Sequence, residues 1–439
     1  MIRTWIERLF EWRLVRWLAA TAFLLRGALL LLLGRRYRAI NDLCWVVRVS
    51  RVAPLQWIAR ARIDRELDAA RRTGRNPLVA AYLASSLSRR CAATFSLAGT
   101  GPNDLFRDLI VLKAAAPDEK GVILLKYART FEAVVALLDF DRVLARYTFV
   151  LEPCWAGYCD PALLMHFAPG HPAVVQCFTA EDLAFVESVG PPFVPVPLGP
   201  ADWVSADIFR ETAPQAKIFD LVMVANWGAH KRHAELFRAL KRIDERKIRV
   251  LLVGFPWAGR TAADIRREAR ALTGTHVEVE IVEQISQAEL ARYLSRCKAF
   301  VFLSRKEGDN KALVEAMFAD VPAIVYERSI GGAVSRINPA TGVLASDQEL
   351  ADKIRFMLDH HREFGPRAWA LEHTGSPIAT RVVDDALRRA AAEYGGRYTR
   401  GIVEKTNTPN LAYRKPELRA AFQADYEFIT SCLRQRSVT

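Results

Sequence analysis

The chain has 439 residues, of which 51% are hydrophobic and 25% are charged. This composition excludes an intrinsically disordered protein and leaves room for two sizeable domains. The seven cysteines are scattered, and the spacing of the closest pair, Cys154 and Cys159, does not indicate a metal site. The first 100 residues hold 18 arginines, no lysine and 6 acidic residues, and so carry +12 of the total net charge of +13. This asymmetry predicts that the N-terminal part contacts an anionic surface.

Residues 1–105 are interpreted as an arginine-rich, mainly helical region that associates with a membrane through residues 1–40. The run from Leu14 to Leu33 is strongly apolar, with tryptophans before it and arginines after it. Arg26 would be costly inside the hydrocarbon, which favours a helix in the membrane plane over a single-pass anchor. A buried helix of the soluble fold is the remaining alternative. The basic surface lacks the interleaved aromatic residues of nucleic-acid modules, so we expect no nucleic acid partner.

Residues 106–205 show the pattern of a parallel α/β domain. Short apolar, β-branched runs alternate with helical or loop segments, and this alternation predicts a parallel sheet. The predicted strands are Leu109–Leu112, Val122–Lys126, Thr148–Leu151, Val174–Cys177 and Phe193–Val196. The third strand is followed by a loop that contains Glu152, Trp155 and Tyr158. Because a strand's carboxyl end is where such sheets bind ligands, these residues are candidates for a pocket; a rigid loop at the domain edge is the alternative.

Residues 206–390 predict a second α/β domain, with a C-terminal segment, 391–439, after it. The expected strands are Leu221–Ala225, Arg249–Val253, Val277–Val282, Phe300–Leu303 and Ala323–Tyr326. The expected helices are Lys231–Ile243, Ala262–Leu272, Gln287–Arg296, Lys311–Ala319 and Asp347–Asp359. Ser286-x-x-Glu289 and Ser346-x-x-Glu349 match capping boxes and mark two helix starts. Regular alternation with short connections predicts a doubly wound sheet whose ligand crevice lies at the carboxyl ends of the strands.

The segment Val222 to His233 is the first chemistry-bearing motif, because it leaves a strand and opens a helix. It places Lys231, Arg232 and His233 in the first helical turn, where cations oppose the helix dipole. Such a placement is unfavourable unless an anion is bound there, so we predict a clamp for a diphosphate; a solvated basic turn is the alternative.

The segment Ser304 to Pro322 is the second motif. Glu307 and Glu315 stand eight positions apart across a turn made by Gly308, Asp309 and Asn310, and Asp309 or Asn310 is the expected N-cap. The turn leads from a buried strand into a helix, whose first N–H groups attract an anion. Two carboxylates beside an anion site suit a ligand that also carries hydroxyl groups, as a sugar nucleotide does.

Together these segments resemble the donor-binding domain of GT-B glycosyltransferases, family 4 in particular. The resemblance covers about residues 200–360 and includes the E-x7-E block, Gly331-Gly332, and the strand entry at Thr341-Gly342. It implies a GT-B fold: two Rossmann-like, doubly wound parallel-sheet domains, here with an N-terminal helical membrane-associating region. Residues 106–205 would then bind the acceptor, residues 206–390 the donor, and residues 391–439 would cross back to the first domain.

The resemblance also implies roles for individual residues. Glu307 and Lys231 would be catalytic, with Glu307 facing the donor sugar and Lys231 neutralising the leaving diphosphate. The donor-binding residues would be Asn226, Arg232, Gly308, Asp309, Asn310, Lys311 and Glu315, with Glu315 on the ribose. The expected reaction transfers a sugar from a nucleotide-sugar to a glycan or lipid-linked acceptor at the cytoplasmic face of a membrane, with retention. It needs no metal or other cofactor, because lysine and the helix dipole supply the positive charge.

One departure from the family pattern keeps two alternatives open. Asn226 stands where the family has an arginine, which removes one cation from the expected clamp. A GT-B nucleotide-sugar epimerase would share the donor site, and a binding or scaffold protein would have lost catalysis. The family's acceptor-side histidine is not visible; His166 and His171 are candidates, but each is more simply read as structural.

Overall fold

The computed structural model describes residues 13–50, 52–95, 104–210, 216–407 and 410–434. The chain forms two compact units. The first consists of Met1–Gly199, Thr380–Lys405 and Asn410–Thr439, and the second of Pro200–Ala379 and Thr406–Pro409. Trp5 and Trp12, which belong to the predicted membrane-associating segment, lie outside the described residues.

The N-terminal helices belong to the first unit. They are α1 (Arg13–Leu32), α2 (Arg36–Val49), α3 (Ala53–Thr73), α4 (Pro77–Leu83) and α5 (Ser86–Thr94). The Tyr37 hydroxyl donates to Glu132 at 2.7 Å, and the Asn76 side chain donates to the Leu164 carbonyl at 2.7 Å. Such contacts attach the helices to the α/β part of the same unit, whereas the sequence interpretation drew a boundary at residue 105.

The sheet of the first unit has the order β1-β2-β3-β4-β5. Its strands are β1 (Leu109–Lys113), β2 (Gly121–Lys126), β3 (Tyr147–Glu152), β4 (Ala173–Gln176) and β5 (Phe193–Val196). The intervening helices are α6 (Ala128–Leu137), α7 (Phe140–Arg146), α8 (Pro161–Leu164) and α9 (Ala180–Val189). Strands β2 to β5 are parallel, as expected, but β1 is antiparallel to β2. The short connection between β1 and β2 allows a hairpin and is too short for a crossover.

The sheet of the second unit is parallel throughout, with the order β11-β10-β9-β6-β7-β8. Its strands are β6 (Phe219–Val224), β7 (Ile248–Gly254), β8 (Val277–Glu283), β9 (Cys297–Phe302), β10 (Ala323–Tyr326) and β11 (Gly342–Ala345). The helices are α10 (His233–Lys241), α11 (Ala262–Leu272), α12 (Gln287–Leu294), α13 (Lys311–Phe318), α14 (Leu350–His360) and α15 (Pro366–His373). The order reverses between β6 and β9, so this sheet is doubly wound and its ligand crevice is expected there. The first sheet has no such reversal, which corrects the expectation of two doubly wound sheets.

Both faces of the second sheet are buried. Val222, Leu251 and Phe300 belong to one hydrophobic cluster, whereas their strand neighbours Leu221 and Val250 belong to another. Because successive residues of a strand point to opposite faces, each strand serves both clusters. This explains why these strands read as continuous apolar runs.

The chain returns to the first unit along α16 (Ser376–Glu393). The return is followed by β12 (Lys405–Thr406), β13 (Ala412–Tyr413), α17 (Leu418–Ala421) and α18 (Gln423–Ser431). The Val403 N–H donates to the Leu112 carbonyl at 2.8 Å, and the Tyr413 hydroxyl donates to the Val111 carbonyl at 2.7 Å. The boundary that the sequence suggested at residue 390 falls inside α16, and the observed division lies at Thr380.

Candidate active site

Lys231 and Glu307 form an ion pair at the carboxyl edge of the second sheet. Lys231 ends a short 3-10 turn after β6, and Glu307 lies in the turn that follows β9. The two residues are 76 positions apart in sequence, but β6 and β9 are neighbouring strands. The side chains are 8% and 19% exposed. The structure therefore brings together the two predicted catalytic residues at the topological switch point of the sheet.

The turn that carries Glu307 is held by the predicted glycine turn. The Glu307 N–H donates to the Ile330 carbonyl at 2.9 Å, and the Ile330 N–H donates to the Arg305 carbonyl at 2.8 Å. Gly331 has φ +138°, and a Cβ there would lie 2.4 Å from the Glu307 carbonyl oxygen. Glycine is needed at this position both for its conformation and for the close backbone approach.

The turn before α13 presents unoccupied donors. In the part of the chain that the structure describes, the N–H groups of Gly308, Asp309 and Asn310 donate to no protein acceptor. Asn310 is the N-cap of α13, and its side chain accepts from the Leu313 N–H at 2.8 Å. These donors and the positive end of the helix form a site suited to an anion.

Glu307 keeps one oxygen available for a ligand. Its Oε1 contacts Lys231, whereas its Oε2 is buried and has no hydrogen-bond partner among the described residues. A buried carboxylate oxygen without a hydrogen-bond donor is costly. A hydroxyl group of a bound ligand would supply the missing donor.

Glu315 lies on α13 and is 4% exposed. Burial raises the pKa of its carboxyl group to about 7, and nearby Lys311 only partly opposes this. A carboxyl group whose pKa is raised in this way keeps its proton to a higher pH than an ordinary glutamate, and when protonated it can donate as well as accept a hydrogen bond. This suits the hydroxyl pair of a ribose, which is the role that the family resemblance implies. Lys311 is also a predicted donor-binding residue, and its ammonium group donates to the Asn407 carbonyl at 3.0 Å.

The carboxylate of Asp309 faces away from the anion site. It is fully buried, pairs with Arg336 at 2.8 Å and accepts from the Ala201 N–H at 2.9 Å. Arg336 also pairs with Asp202 at 3.0 Å. Burial raises the pKa of the Asp309 carboxyl group, against the opposing effect of Arg336. The backbone N–H is therefore the group through which Asp309 can bind a nucleotide-sugar.

Arg232 and Asn226 are both engaged in local structure. Arg232 adopts a left-handed conformation with φ 65°, and its guanidinium group pairs with Asp347 at 2.6 Å and lies over the Tyr326 ring. The Asn226 side chain accepts from the Gly228 N–H at 3.0 Å and so shapes the loop before Lys231. The family has an arginine where this chain has Asn226. The contacts of Arg232 do not favour it as a replacement for that missing positive charge.

His233 is not the cation that the sequence suggested. It is 1% exposed, its ring packs edge-on against Trp227, and burial lowers its pKa to about 3. Neither ring nitrogen has a partner among the described residues. The imidazole is therefore neutral, which relieves the unfavourable interaction with the dipole of α10. Its burial could not be read from the motif, because the helix turns this position toward the core.

The predicted acceptor-side residues lie in the first unit and differ in exposure. Glu152 is fully buried and pairs with Lys405, and the buried Tyr158 hydroxyl donates to the Gln176 carbonyl at 2.7 Å. Trp155, in contrast, is 59% exposed. Of the three candidates, only Trp155 therefore offers a free surface to a ligand.

The two histidine candidates are also in structural positions. His166 is fully buried among Phe131, Phe140 and Phe149, and burial lowers its pKa to about 4. His171 Nδ1 lies 2.9 Å from the Lys120 ammonium group. No group of three or more potential metal ligands occurs among the described residues.

Residues 204–366 match the sequence model of the family Glycosyl transferases group 1. The matched region contains Lys231, Glu307 and the whole second sheet, so the similarity to this family lies in the second unit. The narrower assignment to family 4 stays a prediction.

The chain is similar to a GDP-mannose:cellobiosyl-diphosphopolyprenol alpha-mannosyltransferase of Komagataeibacter xylinus, with 28% identity over 210 residues. The alignment covers 46% of this chain and 51% of the relative, so the chain spans about half the length of that protein. Among solved structures, HepE of Anabaena in complex with UDP has a TM-score of 0.48 at 16% identity, covering 61% of this chain and 78% of that one. A glycosyltransferase of Rickettsia africae has a TM-score of 0.46 at 14% identity, covering 62% and 76%. At these TM-scores the two structures add no weight to the assignment.

Proposed function

We propose that the protein transfers a sugar from a nucleotide-sugar donor to a membrane-linked or polysaccharide acceptor at the cytoplasmic face of a membrane. The observation that carries this proposal is the Lys231–Glu307 pair beside the free N–H groups of Gly308 to Asn310. One cation, three N–H donors and a helix N-terminus converge where the order of the sheet reverses. This combination suits a diphosphate that bears a sugar.

In the proposed reaction, the bond between the sugar's anomeric carbon and the diphosphate oxygen breaks, and a bond to an acceptor hydroxyl oxygen forms. The acceptor proton leaves with the departing diphosphate. Lys231 and the N-terminus of α13 stabilise the negative charge that develops on the diphosphate. Glu307 accepts a hydrogen bond from a hydroxyl group of the donor sugar at Oε2 and holds Lys231 in place through Oε1. Since Lys231 and the helix N-terminus supply the positive charge, the proposed reaction requires no metal. The proposed retention of the anomeric configuration rests on the family resemblance.

A lipid-linked acceptor is supported by the curated relative, whose name specifies a diphosphopolyprenol-linked disaccharide. On the acceptor side we propose that Trp155 stacks on a sugar ring, since it is the exposed member of the predicted group. Glu152 and Tyr158 then hold the loop rather than the acceptor.

The proposed function is tested by incubating the purified protein with radiolabelled GDP-mannose, UDP-glucose or ADP-glucose and a cellobiosyl-diphosphopolyprenol acceptor in vesicles. We expect label from at least one donor to move into the lipid phase. An altered free nucleotide sugar without transfer would indicate the epimerase alternative. Absence of turnover with all three donors, together with nucleotide binding, would indicate a binding protein.

The surface of α1 supports association with a membrane. This helix is long and apolar enough to cross a bilayer, but it is also docked on α2: Arg26 makes a bidentate ion pair with Asp42 at 2.6 Å, and Gly27 lies against Leu43. Spanning the bilayer would break these contacts. Its outer face is lined by exposed Leu14, Trp17, Leu18, Leu25, Leu29 and Leu32. Trp57 of α3 is also 72% exposed. We therefore propose that α1 lies in the membrane plane.

Replacement of Leu25 and Leu29 by glutamine is expected to reduce co-flotation of the protein with vesicles containing phosphatidylglycerol by at least tenfold, because the outer face of α1 loses its apolar contact. A matched Leu344→Gln/Leu371→Gln variant, which alters exposed leucines of the second unit, is expected to float like the wild type. Equal flotation of the Leu25/Leu29 variant and the wild type would contradict the in-plane arrangement.

A further inference from the structure

A cavity lies within the first unit, at the end of its sheet opposite to the predicted acceptor loop. Its volume is about 700 Å³. Lys120, Arg146 and Pro172 line it, and each immediately precedes a parallel strand, namely β2, β3 and β4. The cavity is therefore at the amino ends of the strands, whereas ligands of such sheets bind at the carboxyl ends. The predicted acceptor loop follows the carboxyl end of β3 and therefore does not line this cavity.

The cavity has an excess of positive charge. The acidic residues that line it are Asp118 and Glu119, and both are already neutralised, by Arg397 and Lys113 respectively. Glu119 also accepts from the Thr399 N–H at 2.8 Å. The carboxylates of the cavity are thus committed to other cations.

Three further cations line the cavity and have no carboxylate partner among the described residues: Lys120, Arg142 and Arg146. The Lys120 ammonium donates to the Leu144 carbonyl at 2.7 Å and to His171 Nδ1, which are neutral acceptors. The guanidinium groups of Arg142 and Arg146 lie over the Phe428 ring, Arg146 at 4.3 Å from the ring centre. Stacking on one ring orients both groups without neutralising either.

The remaining wall is made of small and apolar side chains. Ala145 comes from α7, and Ala390 and Ala391 come from α16, with Tyr394 just beyond it. Alanines leave room beside the cations, and the volume lies within the range of small-molecule sites. A bare phosphate would leave most of this space empty.

We infer that this cavity binds an anionic carbohydrate, with a phosphate or carboxylate group at Lys120, Arg142 and Arg146 and the sugar ring against the alanine wall. The site is independent of the donor site, since all of its residues belong to the first unit. It would allow the protein to recognise a charged sugar that is not its nucleotide donor.

Calorimetric titration of the full chain at low salt tests this site with four probes: glucose 1-phosphate, glucuronate, inorganic phosphate and glucose. We expect saturable binding of glucose 1-phosphate, glucuronate or both, binding of inorganic phosphate at least tenfold weaker, and none of glucose. The Arg142→Gln/Arg146→Gln variant is expected to bind at least tenfold more weakly, and Arg142→Lys/Arg146→Lys to recover part of the affinity. Ala145→Phe, which fills the cavity and keeps its charge, is also expected to reduce binding.

The matched control is Arg266→Gln/Arg270→Gln, which removes two exposed arginines at the same spacing from α11. It is expected to bind like the wild type. Lys231→Ala is also expected to keep the binding, which separates this cavity from the donor site. The inference is overturned if neither charged sugar binds, if inorganic phosphate binds as tightly as the sugars, or if the Arg142/Arg146 variant keeps wild-type affinity.

Discussion

Lys231→Ala and Glu307→Gln are each expected to lower the rate of sugar transfer by about 10²- to 10³-fold, the usual cost of removing one preorganised group that stabilises developing charge. Lys231→Ala removes the cation that we propose faces the departing diphosphate. Glu307→Gln keeps the shape of the side chain but loses the charge that positions Lys231. The measurement is the initial rate of label transfer at saturating donor.

Two matched variants control for charge and for location in the same unit. Lys241→Ala removes an exposed lysine from α10, and Glu280→Gln removes an exposed carboxylate from β8. Both are expected to transfer sugar at the wild-type rate. Because a failed fold would also abolish transfer, thermal unfolding is recorded for every variant. Wild-type rates in Lys231→Ala and Glu307→Gln would contradict the proposed catalytic roles.

Arg336→Met is expected to destabilise the second unit by about 3–5 kcal/mol, because it leaves buried charges without their partner. Asp202 and Asp309 are 8% and 0% exposed at their side chains, and Arg336 contacts both. Thr374 also donates to Asp202 at 2.6 Å. Since Asp309 lies in the turn that leads into α13, loss of Arg336 should also weaken nucleotide binding. Urea unfolding followed by circular dichroism measures the stability.

The control for Arg336 is Arg246→Met, which breaks the half-exposed pair with Asp359. A surface pair of this kind contributes about 0–1 kcal/mol, so this variant should unfold nearly as the wild type does. Replacing Asp202 and Asp309 by asparagine in the Arg336→Met background should restore part of the stability, because no buried charge then remains. A change below about 1 kcal/mol in Arg336→Met would contradict the importance of this network.

Hydrophobic patterning predicted the framework of the molecule well. The runs at Phe193–Val196 and Ala323–Tyr326 are strands with the predicted limits, and Ala262–Leu272 is a helix with the predicted limits. The Ser286–Glu289 capping box forms, and α12 begins at Gln287, directly after its N-cap Ser286. The Ser346–Glu349 hydrogen bonds also form, but α14 begins only at Leu350. Patterns of this kind depend on local geometry, which neighbouring residues largely determine.

The sequence did not predict how the polar side chains choose their partners. The backbone N–H of Asp309 is predicted to bind the donor, but the sequence did not show that its carboxylate pairs with Arg336, which lies 27 positions away. Arg232 pairs with Asp347, 115 positions away. Such choices depend on which loops meet at the edge of the sheet, and a motif read along the chain cannot show them. The antiparallel β1 was missed for a related reason, since strand direction follows from the connection rather than from the apolar run.

The Lys231–Glu307 pair is the exception, because the resemblance of two separate motifs to one family predicted that both belong to a single donor site. The structure adds the free Glu307 Oε2 and the unoccupied N–H groups beside it.

The most direct test of this donor site is calorimetric titration of UDP, GDP and ADP into the full chain, the Lys231→Ala variant and the Lys241→Ala control. We predict that at least one nucleoside diphosphate binds with one site per chain. We also predict that Lys231→Ala weakens this binding by tenfold or more, while Lys241→Ala leaves it unchanged. Failure of all three nucleotides to bind, or equal affinity in the wild type and Lys231→Ala, would contradict the assignment of this edge of the second sheet as a nucleotide-sugar site.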